Sequence, residues 1–318
     1  MNKIFDPKKF IARMIKYSPR QGKNEQKTAE FIIFTLKKHE IRLVRQNFKT
    51  TIPSVKKTWL KADGQKLLCA GSSFVSGRID GKENIVSSLI LSDECANLPN
   101  INFNPKSKFV SRPSFYYAPA IAVDQSGLIK ILRSDKIRGE VRVRPLAFDS
   151  SNILVGNAVN PKIIVFAHYD SIEAGATDNA SGTAVMMDVI IGHSETLKFV
   201  LYVFAGNEEL SYDRPTYWGR GYRAFEKENK KILERSEKII VVDSLGNGKT
   251  IVDQDPDMMH LAFPIANKNK WKNKIALIYG DIGKLMKVYH SKNDDLKQLD
   301  DKRLKESVRV LVQEIKRL

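Results

Sequence analysis

The sequence predicts an α/β protein: a mixed, largely parallel sheet sandwiched by helices, with a mostly β inserted domain. Three observations predict it. From residue 147 onward, short apolar runs alternate with helical patterns. The runs, such as KIIVFA and FVLYVFA, are apolar at nearly every position, as strands covered on both faces are. Residues from about 51 to 146 differ, with short apolar stretches cut by turn signals such as DG, GS, NP and RP.

Each element follows from its own pattern. Phe10, Ile11, Met14 and Ile15 recur at helical spacing, and after the turn SPRQGKN the stretch EQKTAEFIIFTLKKHE reads as a strong amphipathic helix. Ile41 to Phe48 alternates apolar and polar, as a half-buried strand does. NIVSSLILS and YYAPAIAV supply short strands to the insertion. Then PKIIVFAH is a strand, NASGTAVMMDVIIGH a helix, KFVLYVFAG a strand, GYRAFEKENKKILE a helix, and KIIVVDS and IALIYG strands. A closing helix lines up Leu304, Val308, Leu311, Ile315 and Leu318. The expected domains are 1–50 with 147–318, and the insertion 51–146.

Composition bounds the function. The 318 residues are long enough for more than one domain, and 42% apolar content marks globular material. No apolar run reaches the length of a membrane span, and MNKIFDPKKF lacks the apolar core of a secretory signal. A cytoplasmic location and no membrane partner are expected. Cys69 and Cys95 form no metal spacing and read as reduced thiols, with a pairing left open. The net charge of +17, from 53 basic and 36 acidic residues, raises nucleic-acid binding. Its densest stretch, NKNKWKNK at 267–274, reads as a solvated basic turn anchored by Trp271. Because basic residues are spread along the whole chain, no nucleic-acid partner is expected. A basic surface favours anionic ligands at low salt.

In open α/β sheets ligands bind at the carboxyl ends of the strands. His168 and Asp170 follow KIIVFA, Asp178 follows in GATDNASG, Glu208 and Glu209 follow KFVLYVFAGN, Asp243 follows KIIVV, and His290 follows IALIYGDIGKLMKVY. Imidazole with carboxylate is a ligand set suited to zinc and related divalent ions. Taken singly, His168 and His290 read as satisfied histidines, Asp178 as a helix cap and Asp243 as a loop acid; their shared placement after strands outweighs those readings. Gly175 permits a tight loop, Asp178 is placed where a positive helix end helps hold its charge, and Ala180 and Gly182 are small enough for close packing. Asp294 and Asp295 read as turn or capping residues, and His193 and His260 lie outside the motifs.

The series HYDS–GATDNASG–NEEL–VVDS–YHSKNDD resembles the co-catalytic di-zinc aminopeptidase family, which also includes glutamate carboxypeptidases and glutaminyl cyclases. SPRQGKNEQKTAEFI resembles that family's opening helix region. The resemblance implies a phosphorylase/hydrolase-like zinc exopeptidase fold and two divalent ions per chain, zinc first and cobalt or manganese as substitutes. It implies that Asp178 bridges the ions, His168 and Asp243 complete one site, and Glu209 and His290 complete the other. Asp170 then orients the His168 imidazole, and Glu208 is the general base that activates a metal-bridging hydroxide against a peptide substrate. Charge supports this: Asp178, Glu209, Asp243 and a hydroxide balance two dications, leaving Glu208 over.

Hydrolysis of N-terminal residues is the leading reading. Alternatives are a carboxypeptidase, a one-zinc glutaminyl cyclase-like acyltransferase, and a non-catalytic binding relative, which loss of ligands would mark. The segment SYDRPTYWGRGYRAF is longer than the family's and brings in Asp213, Arg214, Tyr217, Trp218, Arg220 and Arg223. An acid there would hold a free amine and an arginine a terminal carboxylate, so the choice stays open at this point. The insertion resembles protease-associated, lid-like domains. The oligomeric state is not legible.

Overall fold

Asp6 opens the first helix: its carboxylate accepts the Lys9 N–H at 3.0 Å, and Pro7 stands at the first helical position. The structure, a computed structural model, describes residues 5–82, 84–89 and 97–317. Cys95, Leu318 and the end of NIVSSLILS lie outside them. Helix α1 (Pro7–Met14) buries Phe10, Ile11 and Met14, and α2 (Lys23–Lys38) buries Phe31, Ile32 and Leu36. Strand β1 (Leu43–Ala62) continues well past Phe48; the β-branched Thr50, Thr51, Ile52 and Val55 carry it on.

The chain forms two compact units, one of Met1–Thr50, Phe148–Leu285 and Asp294–Leu318, the other of Thr51–Ala147 with Met286–Asn293. The second unit holds β2 (Gln65–Lys66), β3 (Cys69–Gly71), β4 (Gly77–Asp80), β5 (Ile85–Ser87), β6 (Asn100–Phe103), β7 (Ala120–Val123), helix α3 (Gln125–Arg133) and the first part of β8 (Ile137–Gly156). Its four-stranded sheet has the order β3-β7-β6-β5, and β4 pairs antiparallel with β8. Leu60, Ile79, Ile101, Ile121, Ile131 and Val141 fill its core.

The first unit continues β8 and adds β9 (Ile163–His168), α4 (Gly182–Gly192), β10 (Val200–Ala205), α5 (Arg220–Arg235), β11 (Lys238–Asp243), β12 (Ile251–Asp253), α6 (Pro256–Ala262), α7 (Lys268–Trp271), β13 (Ile275–Tyr279), α8 (Ile282–Leu285) and α9 (Asp301–Lys316). Strand order is β12-β13-β11-β9-β10-β8-β1. The pairs β13–β11, β11–β9 and β9–β10 are parallel, and β12–β13 and β10–β8 antiparallel. The expected mixed, largely parallel sheet is therefore present.

Alternation along the strands explains the apolar runs. Ile163, Val165 and Ala167 join Val200, Tyr202 and Phe204 in one core, while Ile164, Phe166, Leu201 and Val203 join the other. Every residue of β9 and β10 is buried. At about 1.5–3 kcal/mol for each large apolar side chain buried, this centre is the firmest part of the sheet, and His168 ends it. In the basic stretch, Trp271 is buried at the end of the short α7.

Candidate metal centre

Parallel β9, β10 and β11 deliver their carboxyl ends to one edge. His168 and Asp243 are the last residues of β9 and β11. After β10 the chain must turn sharply, and Gly206 allows it: a Cβ there would come within 2.6 Å of Ser150 Oγ and Tyr169 Oη. Asn207 follows at φ 49°, a left-handed conformation that Asn tolerates. Its amide donates to Leu210 O at 2.8 Å. Glu208 and Glu209 are thereby turned inward, and both are buried.

Single ligand atoms of His168, Asp178 and Glu209 lie within 4.8 Å of one another. His168 Nε2 stands 3.2 Å from Asp178 Oδ1 and 3.8 Å from Asp243 Oδ2. Burial opposes a charged imidazole, yet Asp170, Asp178 and Asp243 hold the His168 pKa well above the usual histidine range. Such a buried excess of carboxylate calls for a cation, and imidazole with carboxylates fits a zinc-like ion.

Asp170 serves the glutamate pair most directly. Its two oxygens accept the N–H groups of Glu208 and Glu209 at 2.9 and 3.0 Å. Its contact with His168 Nδ1 is 3.4 Å. Glu208 takes no side-chain hydrogen bond among the described residues. Burial first, then Glu209, Asp170 and Asp243, push its pKa well above the usual carboxylate range, against the pull of His168.

Asp178 does not begin a helix. Its φ of −108° and ψ of 96° lie outside the helical region, and α4 starts at Gly182. The cap is Asn179, whose Oδ1 accepts the Gly182 N–H at 2.9 Å and whose amide donates to Val242 O at 2.8 Å. The macrodipole support expected for Asp178 is thus replaced by Asp294, which accepts the N–H groups of Thr177 and Asp178 at 2.9 and 3.0 Å. Asp294 is buried and more than a turn residue. Asp295 does cap, accepting the Lys297 N–H. Gly175, at φ 60°, holds the tight loop: a Cβ would meet Asp178 O at 2.4 Å. At Gly182 a Cβ would meet Val242 O at 2.9 Å, so α4 packs hard against β11.

Arg20, from the opening turn, is fully buried behind these loops. Its guanidinium donates to Tyr169 O, Asp170 O, Ala174 O and Gly175 O at 2.7, 3.3, 3.0 and 2.9 Å, and to Ser18 Oγ at 3.1 Å. Burial lowers its pKa to about 10, while Asp170, Glu209, Asp294 and Asp178 support its charge. Its sequence signal is a lone arginine in the turn SPRQGKN, within the stretch that resembles the family's opening helix region.

His290 belongs to the second unit. It is buried there, at φ 49°, with Tyr289 stacked on it at 3.8 Å. Its Nδ1 is 3.0 Å from Arg112 O, a bond that puts the proton on Nδ1 and leaves Nε2 as the nitrogen with the lone pair. His193 stands 3.5 Å from Glu195, partly exposed. In the long segment after the glutamates, Arg223 binds Asp213 Oδ2, Thr216 Oγ1, Thr216 O, Trp218 O and Pro264 O, all within 3.0 Å. Gly219 N–H returns to Glu208 O at 2.5 Å, closing the loop at its base.

Residues 152–272 match the model of Peptidase family M28. No curated protein sequence matches the chain. Among solved structures, a zinc aminopeptidase from Bacillus subtilis superposes with a TM-score of 0.70 at 18% identity, over 97% of this chain and 94% of that one. An aminopeptidase from Aneurinibacillus sp. strain AM-1 gives 0.61 at 16%, over 97% and 92%. A glutaminyl cyclase from Porphyromonas gingivalis gives 0.52 at 12%, over 99% of both chains. At these identities the superpositions establish the fold. With the family match, they bear out the resemblance to zinc exopeptidases: the chain is a metallo-exopeptidase hydrolase, and its donor set supports zinc.

Proposed function

We propose that the protein is a di-metal aminopeptidase. The observation that carries this is the buried meeting of His168, Asp178 and Glu209 donor atoms within 4.8 Å, beside a Glu208 carboxylate with no hydrogen-bond partner among the described residues. His168, Asp178, Glu209, Asp243 and His290 would hold the ions. Bound zinc supplies water activation and polarisation of the scissile carbonyl. Asp170 fixes the backbone of both glutamates, and Glu208 moves a proton at its carboxylate, from the attacking water to the leaving amine. Burial favours the protonated form needed for delivery.

Arg223 favours the aminopeptidase over the carboxypeptidase reading. A terminal carboxylate needs an available cation, and Arg223 has spent its donors on Asp213 and backbone carbonyls. The test is a panel of aminoacyl and N-blocked peptides assayed with zinc added back. Cleavage of free-amine substrates alone is expected, and equal cleavage of N-blocked peptides rejects the assignment. The likeness to a glutaminyl cyclase keeps a cyclising acyltransferase as the second reading; one tightly bound zinc per chain favours it, two the aminopeptidase.

A further inference from the structure

The second unit carries a charged face that the exopeptidase reading leaves without a role. On β8 the inward positions are Ile137, Gly139, Val141 and Val143, and Arg138, Arg142 and Arg144 point to solvent. Glu140 lies half-buried in that outer row, opposite Arg78 of β4 in the antiparallel register. Two residues of β1 reach the same carboxylate, Trp59 Nε1 at 2.9 Å and Lys57 Nζ at 3.5 Å. Arg142 Nε joins them at 2.6 Å. A cavity of about 740 Å³ opens over this row, with Lys56, Lys57, Arg78, Arg142 and Arg144 as its cations and Glu140 as its one acid.

Glu140 is an internal organiser. The Trp59 N–H, then Arg142, hold its pKa down to about 2, so it stays ionised and already engaged. Lys57 and Arg142 keep 54% and 62% of their side chains exposed despite the pairing, and so still face solvent. Lys56, Arg78 and Arg144 make no ion pair among the described residues. A concave surface lined by one sign of charge concentrates ligands of the opposite sign.

We propose that this face binds acidic peptide segments in extended conformation. Arg142 and Arg144 stand two residues apart on one strand, roughly 6.6–6.8 Å, the repeat of alternate side chains along an extended peptide. Guanidinium groups take carboxylates in bidentate fashion. A single-stranded nucleic acid would need successive rings on which to stack its bases. None of the described residues lining the cavity is aromatic, and Trp59 beside it is tied to Glu140. The inference goes beyond the exopeptidase reading and stands on the second unit alone, so failure of either leaves the other intact.

The test is fluorescence anisotropy on the full chain with a labelled peptide alternating Glu and Ser. Controls are the same peptide with Gln for Glu, and an oligothymidylate. The acidic peptide is expected to bind at low salt, to loosen at high salt, and to lose at least about tenfold in affinity when Arg78, Arg142 and Arg144 are all changed to Ser. An unchanged circular dichroism spectrum shows that the variant is folded; if it is not, Arg144→Glu, at an exposed position, serves the same comparison. Equal binding of the Gln peptide, unchanged affinity of the folded variant, or tighter binding of the oligothymidylate overturns the proposal.

Discussion

Asp294 receives the backbone N–H of Asp178 at 3.0 Å, with the neighbouring Thr177 N–H at 2.9 Å on its other oxygen. Asp170 does the same for Glu208 and Glu209. Two carboxylates thus hold the Thr177–Asp178 and Glu208–Glu209 segments through paired backbone amides.

Replacing Asp294 by Asn turns an NH₂ toward one of those amides. A buried N–H left without an acceptor costs about 1–3 kcal/mol, and the urea midpoint should fall accordingly. The pH dependence has a definite sign. Burial raises the Asp294 pKa to about 6, so between the ordinary carboxylate range and about 6 the folded state keeps a proton that the unfolded chain releases. Stability of the metal-free protein therefore falls as pH rises through that window. Urea denaturation at both ends should show a smaller fall for Asp294→Asn than for the parent.

Glu208→Gln keeps the volume and the backbone bonds to Asp170 but removes the proton acceptor. Turnover should drop about 10²–10⁴-fold with zinc content unchanged, read by metal analysis beside an aminoacyl chromogenic assay. Normal turnover would rule out Glu208 as the base.

Asp178→Ala removes a carboxylate 3.2 Å from His168 Nε2. Bound zinc should fall, and activity should not return on adding zinc. In the parent chain, chelation should abolish activity and zinc should restore it.

Arg20→Met takes the guanidinium donor from the carbonyls of Tyr169 and Asp170 and leaves four nearby acids without a buried countercharge. Loss of one partner from a buried charged network costs about 3–5 kcal/mol. The urea midpoint should fall, and zinc should bind more weakly in competition with a chelating dye. Arg20→Lys, which keeps the charge but cannot span the carbonyls, should recover only part of either.

Strand ends were legible because β9, β10 and β11 are buried on both faces, which writes them as unbroken apolar runs and marks the first polar residues after them. His168, Glu208, Glu209 and Asp243 were found this way. Arg20 and Asp294 escaped because their partners are backbone groups more than a hundred residues away, and backbone groups leave no trace in a side-chain pattern. The same limit hid Asn179: both it and Asp178 are good caps, and only the φ and ψ of Asp178 decide between them. Asp213 and the arginines Arg214, Arg220 and Arg223 read as rival substrate anchors, and the 2.9 Å contact between Asp213 and Arg223 engages that pair with each other.

The paired-amide clamps separate two tasks within one chain. Residues 171–174 and 211–218 adjoin the centre, and neither clamp draws on their side chains. Substrate preference can then diverge by substitution there while metal binding is inherited unchanged, and a library confined to these two segments would be enriched in metal-loaded proteins of altered selectivity.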